Sequence, residues 1–145
     1  MWFGNAAKGI GHLDPHTGHV TLFPVADEKA IVFSMAHDTK GHIWFTEISQ
    51  GKLGMFDPTT NKVTELQVPT PPGTSAWLYA IVVLHNNDVW LVNGRANALV
   101  RYSPDRAAYT IFQLSTEPYG LTIDSAGTLW FTATGSPSII GKIMP

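Results

Sequence analysis

Few residues in this sequence could do chemistry, and they are scattered. The densest group is His12, His16 and His19 with Asp14, in the stretch Gly11-His12-Leu13-Asp14-Pro15-His16-Thr17-Gly18-His19. Imidazoles and a carboxylate at such short spacing could converge on a metal ion. They straddle a hairpin tip, however, and no second ligand cluster accompanies them, so they read as solvent-exposed turn residues. His37, His42 and His85 fall in or beside other turns and read the same way. The glycines are spread one per turn, which gives no phosphate-cradling loop. No Gly-x-Ser-x-Gly elbow is present. Cysteine is absent, which excludes disulfides and thiolate metal sites. The formal net charge is −2 and the nine Lys and Arg are dispersed, so the basic stripe that a nucleic acid or an anionic membrane surface needs is missing. No apolar run approaches the length of a membrane span. Met1-Trp2-Phe3-Gly4 does not open like a signal peptide, so the expected location is cytoplasmic.

The elements that must position these residues are set by a repeat. Gly41-His42-Ile43-Trp44-Phe45-Thr46-Glu47 returns in altered form as Met1-Trp2-Phe3-Gly4-Asn5, as Asp88-Val89-Trp90-Leu91-Val92-Asn93 and as Thr128-Leu129-Trp130-Phe131-Thr132-Ala133. The motif tryptophans, Trp2, Trp44, Trp90 and Trp130, are 42, 46 and 40 residues apart. Within each unit, short runs rich in β-branched and aromatic residues are separated by Gly, Asn, Asp and Pro turns. The second unit shows four such runs, A to D, and the chain as a whole reads B-C-D, A-B-C-D, A-B-C-D, A-B-C. Four-stranded units of this length are β-propeller blades. The expected architecture is therefore all-β, about three and a half blades over residues 1–26, 27–70, 71–114 and 115–145. One such sheet has two apolar faces and can cover neither alone. Stacked blades bury both, and the motif Trp and Phe are the natural filling.

The blade pattern places Phe33, Tyr79 and Tyr119 at the same position of three successive A strands. Strand A is innermost, so these rings either gather at one mouth of the central channel as a ligand platform or wedge neighbouring blades apart. Glu47 ends the one complete Trp-Phe-Thr-Glu, where Asn5, Asn93 and Ala133 stand in the other units. A carboxylate there can line the same mouth or bond loop backbone.

Trp-Phe-Thr-Glu, then Ile-Gly-Lys-Ile, then Asp-Pro before a Thr-rich turn, resembles the repeat of virginiamycin B lyase and the other streptogramin lyases. The resemblance runs the length of the chain. It implies a seven-bladed propeller whose last blade ends on strand C, and a reaction that opens a cyclic depsipeptide by elimination. There a His acts as base and Mg²⁺ is held by two Glu. The base and one metal ligand of the family lie in Glu-Pro-His-Gly. Here that stretch reads Glu117-Pro118-Tyr119-Gly120, so Glu117 matches a metal ligand and Tyr119 replaces the base. A phenol is protonated at neutral pH and is a poor base. The second metal ligand should follow Trp130-Phe131, but Thr132-Ala133-Thr134-Gly135 carries no carboxylate. A substrate-contacting His of the family is matched by Tyr79.

Fourteen strands are half of a seven-bladed ring. A half ring leaves two blade faces and two strand edges open, which is a liability in water. The expected partner is a second chain, as a homodimer or a complementary half-propeller. The expected role is a ligand-binding or scaffold module for a small molecule, with an incomplete lyase site. The alternative is a Mg²⁺-dependent lyase or hydrolase whose missing groups come from the partner.

Overall fold

The computed structural model describes residues 1–5 and 9–144. Fourteen strands cover these residues: β1 (Trp2–Asn5), β2 (Gly9–Leu13), β3 (Val20–Phe23), β4 (Val32–His37), β5 (Ile43–Glu47), β6 (Lys52–Asp57), β7 (Lys62–Gln67), β8 (Leu78–Val83), β9 (Val89–Asn93), β10 (Ala98–Ser103), β11 (Ala108–Gln113), β12 (Pro118–Ile123), β13 (Leu129–Ala133) and β14 (Ile139–Ile143). They form four antiparallel sheets of consecutive strands, β1-β2-β3, β4 to β7, β8 to β11 and β12-β13-β14. This is the strand order expected from the repeat. The first sheet starts at its B strand and the last ends at its C strand. The first A strand begins at Val32 rather than Ala30, because Ala30 N–H closes a turn onto the Asp27 carbonyl. No helix is long and apolar enough to cross a membrane among the described residues.

The sheets stack through their faces, with the inner strands β4, β8 and β12 touching in succession and β1 touching β4. Three apolar clusters fill the three junctions, as the alternation of side chains across each strand demands. In β5, Ile43 and Phe45 join Ile10, Val25 and Val32 between the first and second sheets. Trp44, between them in sequence, points the other way and joins Leu78, Leu91 and Val100 between the second and third. In β9, Trp90 and Val92 join Leu99 and Leu129 between the third and fourth. At the three junctions Trp2, Trp44 and Trp90 thus face the following blade, while Phe45, Leu91 and Phe131 face the preceding one.

The Ile-Gly motif has a packing cause. Phe3, Phe45 and Phe131 pair in register with Gly11, Gly54 and Gly141 on the next strand. A Cβ on any of these glycines would overlap the aromatic ring, so the ring occupies the space of the missing side chain. The third blade solves the same position differently. Leu91 pairs with Val100 there, a smaller residue opposite a larger one.

The motif Trp has its own partner. Asp38 Oδ2 accepts the indole N–H of Trp44 at 3.1 Å, and Asp124 Oδ2 accepts that of Trp130 at 2.8 Å. Both aspartates lie six residues before their Trp and also cap the A–B turn through backbone N–H groups. In the third blade Leu84 stands at that spacing. The Trp90 indole N–H, fully buried, has no partner there.

Candidate functional site

The A strands are not regular. Each carries a register shift against its B strand, at Val32/Ser34, Leu78/Ile81 and Pro118/Leu121. Phe33, Tyr79 and Tyr119 sit inside these bulges. A bulge re-aims a side chain that the pleat would otherwise bury. The motif Thr supports it: Thr46 Oγ1 accepts Ser34 N–H at 3.2 Å, and Thr132 Oγ1 accepts Gly120 N–H at 3.0 Å. The Thr46 hydroxyl donates onward to the Tyr79 carbonyl at 3.0 Å, tying one bulge to the next blade.

The bulges bring the three rings into one row. Phe33 and Tyr79 meet edge-on with centroids 5.9 Å apart, and Tyr79 and Tyr119 lie at 4.6 Å. Phe33 is 47% exposed and Tyr119 is 52% exposed, so the ends of the row present bare ring surface. Trp77 extends it at 6.3 Å from Tyr79, and the Arg95 guanidinium stacks on Trp77 at 3.8 Å. Neither Trp77 nor Arg95 was singled out from the sequence. The available signal was position, since Trp77 lies two residues before Tyr79, as Glu117 lies two before Tyr119.

Glu117 reaches the row from the last blade. The Tyr79 hydroxyl donates to Glu117 Oε1 at a long 3.4 Å. Gly94 makes room, because a Cβ there would overlap the Tyr79 ring and crowd Glu117 Oε1. Burial pushes the Tyr79 phenol above its ordinary pKa, and the neighbouring Glu117 charge adds to the rise. Tyr79 is therefore held as a neutral donor. Among the described residues Lys52 pairs with Glu65 and the His42 ring contacts Asp38 at 2.8 Å, and neither contact involves Glu117 or Arg95.

Glu47 does not join the row. Its side chain is fully buried, and neither carboxyl oxygen has a hydrogen-bond partner. Glu65, Lys52 and Asp27 surround it. Burial, then the Glu65 charge, push its pKa up to about 7. Glu65 is itself held by Lys52 Nζ at 2.7 Å and by Ala26 N–H at 2.7 Å, which ties the second sheet to the segment arriving from the first. Asn93, at the register position of Glu47, does bond loop backbone, accepting Trp77 N–H at 3.1 Å.

The histidines near the first hairpin do not converge. His12 packs on Trp2 at 4.6 Å, while Asp14 is spent on its own turn through His16 N–H and Thr17 Oγ1. Among the described residues no group of three or more His, Cys, Asp or Glu could hold a metal. Among the described residues the ring row has one carboxylate at its side, Glu117, beside two phenols and an apolar ring. Ala133 and Thr134 follow the motif where a second carboxylate would have to stand. Magnesium takes near-octahedral oxygen coordination and is usually anchored by carboxylates. This donor set does not fit Mg²⁺.

Among curated proteins none matches the sequence. Solved structures do. Selenomethionine-substituted virginiamycin B lyase from Staphylococcus aureus is 21% identical, with a TM-score of 0.78, over 96% of this chain and 49% of that one. A streptogramin B lyase structure is 21% identical, with a TM-score of 0.77, over 95% and 48%. A chain of a nidogen/laminin complex is 15% identical, with a TM-score of 0.76, over 97% and 56%. At such identities the likeness shows the fold. The chain spans about half the length of the lyase structures it matches. The model of the Virginiamycin B lyase family matches residues 1–143, and the chain belongs to that family.

Proposed function

We propose that the chain is a ligand-binding partial propeller, completed by a second copy, that holds a small molecule on the ring row without opening it. The observation that carries the binding role is the contiguous row Phe33, Tyr79 and Tyr119 with Glu117 at its side. Three blades each carry the ring in a β-bulge; Phe33 and Tyr119 stand half bare, while Tyr79 between them packs partly on the core. A ring needed only as a wedge gains nothing from half of its surface being bare. A lyase role has less support. Tyr119 stands where the family has an imidazole base, and Glu117 is the one carboxylate beside the rings where Mg²⁺ would need more. A lyase or hydrolase would need both groups from the partner chain.

The completion by a second copy rests on Trp130. Trp44 and Trp90 are covered by the following blade, at 4% and 0% exposure, whereas Trp130 is 37% exposed. Around it Ile140 is bare, and Lys142 stands over the indole at 5.8 Å. The other open face of the chain carries Phe3 on Gly11, flanked by Val20 and Leu22. Inside the chain, Trp-bearing faces pack on Phe-bearing or Leu-bearing faces at every junction. Two copies related by a two-fold axis along the channel would repeat that pairing twice and close the ring.

Quinupristin, bound by a catalytically inactive virginiamycin B lyase in a related structure, is the ligand with which to test the reading. Calorimetric titration should give saturable binding, weakened at least about tenfold by Tyr119→Ala, as loss of a stacked ring implies. Chromatography should find no ring-opened product when Mg²⁺ is added. Mg²⁺-dependent opening lost in Glu117→Gln would establish the lyase reading instead. Failure to bind would remove the platform reading for this class of ligand.

A further inference from the structure

From the mouth of the channel we infer that the ligand carries a cationic amine, seated between the Glu117 carboxylate and the faces of Tyr119 and Tyr79; this rests on the ring row being a binding site. The chemistry of the residues separates this from the other charges a ligand could bring. A metal ion such as Mg²⁺ is anchored by several oxygen ligands, carboxylates above all, and Glu117 is the one carboxylate beside the rings among the described residues. An organic ammonium needs only one carboxylate and the negative faces of aromatic rings, and both are present within one cluster.

Glu117 is available for such a role. Its only side-chain hydrogen bond among those found is the 3.4 Å contact with Tyr79, near the limit of what counts as a bond. It is part-exposed, and it takes no part in the ion pairs of the described residues. The Tyr119 ring, two residues on and half bare, is 4.6 Å from Tyr79, which touches the carboxylate through its hydroxyl. The same wall already holds one cation in this manner. Arg95 lies 3.8 Å over the centroid of Trp77 and donates to Ser75 Oγ at 3.4 Å, and its charge also reaches the Tyr79 phenol, where it opposes the pull of Glu117. The Tyr119 end has the rings and the carboxylate, and among the described residues no side-chain cation pairs with Glu117.

The test uses two small probes of equal shape, phenethylamine, cationic at neutral pH, and 2-phenylethanol, which is uncharged. Binding to the protein as it assembles in solution is followed by NMR shifts of the Tyr119 and Tyr79 rings. The amine should bind about tenfold tighter than the alcohol, the scale of one charge-assisted contact plus a cation–π contact. Glu117→Gln should shrink that difference to the few-fold advantage that the ring faces alone supply. Tyr119→Phe, which keeps the ring face, should preserve it, and Tyr119→Ala should weaken both probes. Equal affinities of the two probes in the unmodified protein would overturn the cationic assignment while leaving the ring row as a binding site. If neither probe moved the ring signals, the binding reading and this inference would both fall.

Discussion

The ring of Phe45 occupies the space in which a side chain on Gly54, its register partner, would stand. The pair explains why the repeat couples an aromatic residue in strand B to a glycine in strand C. Phe3 with Gly11 and Phe131 with Gly141 repeat it. The backbone of Gly54 is not left-handed, so alanine is excluded by the ring and not by conformation. Gly54→Ala should cost about 1–3 kcal/mol, the usual range for overpacking a core. Urea unfolding checks it. An unchanged midpoint would mean that the ring swings aside freely.

The third blade offers the reciprocal experiment. There Leu91 faces Val100. Val100→Gly alone should open a void and destabilise by about 2–4 kcal/mol, from lost burial and added chain entropy. Adding Leu91→Phe should recover part of the loss, because it restores the pairing used in the other blades. A double-mutant cycle gives the coupling, and a coupling of zero would refute the paired role.

Glu47 makes the stability of the first junction depend on pH. Its folded pKa is raised to about 7 from an ordinary value near 4.5, by burial first and by the Glu65 charge second. The folded chain therefore holds this proton more tightly than the unfolded chain. Its contribution is complete below pH 4.5 and is lost as pH rises to about 7, with a slope of at most about 1.4 kcal/mol per pH unit. Protonated Glu47 can donate to Glu65, whose other partners are Lys52 and Ala26 N–H. Glu47→Gln removes the titrating group and keeps the shape. The difference in melting temperature between the two proteins, followed by calorimetry from pH 4.5 to 8, should move in favour of the variant with rising pH. A constant difference would contradict this account.

The two blade-facing tryptophans should respond differently to truncation. Trp90 is fully buried between the third and fourth sheets and packs on Phe112 at 5.0 Å. Trp90→Ala should cost about 3–5 kcal/mol at any protein concentration. Trp130→Ala should weaken association, so its effect on the melt should fade as the protein is diluted. Melts at several concentrations separate the two. Equal, concentration-independent losses would place Trp130 in an interior.

Much of this was legible in the sequence, for a physical reason. A repeat forces equivalent residues into equivalent places, so the strand order and the alignment of Phe33, Tyr79 and Tyr119 follow from spacing alone. The bulges under those rings were not legible. A one-residue slip between two strands leaves no mark on composition, since it depends on where the partner strand resumes its register. The surroundings of Glu47 were not legible for a similar reason. Asn93 at the same position bonds the Trp77 N–H, while Glu47 meets Glu65 and Asp27, which come from distant segments. The Asp38 to Trp44 bond was readable as a six-residue spacing repeated at Asp124 and Trp130. It stands out only once the turn is known to fold back over the indole.

We propose that another copy of this chain covers the bare Trp130 face. Light scattering on the protein eluting from a sizing column measures this most directly. A mass of twice the 15.8 kDa chain is predicted, falling to a single chain in Ile140→Glu, which sets a charge in the junction. A monodisperse 15.8 kDa species with a cooperative melt would contradict it.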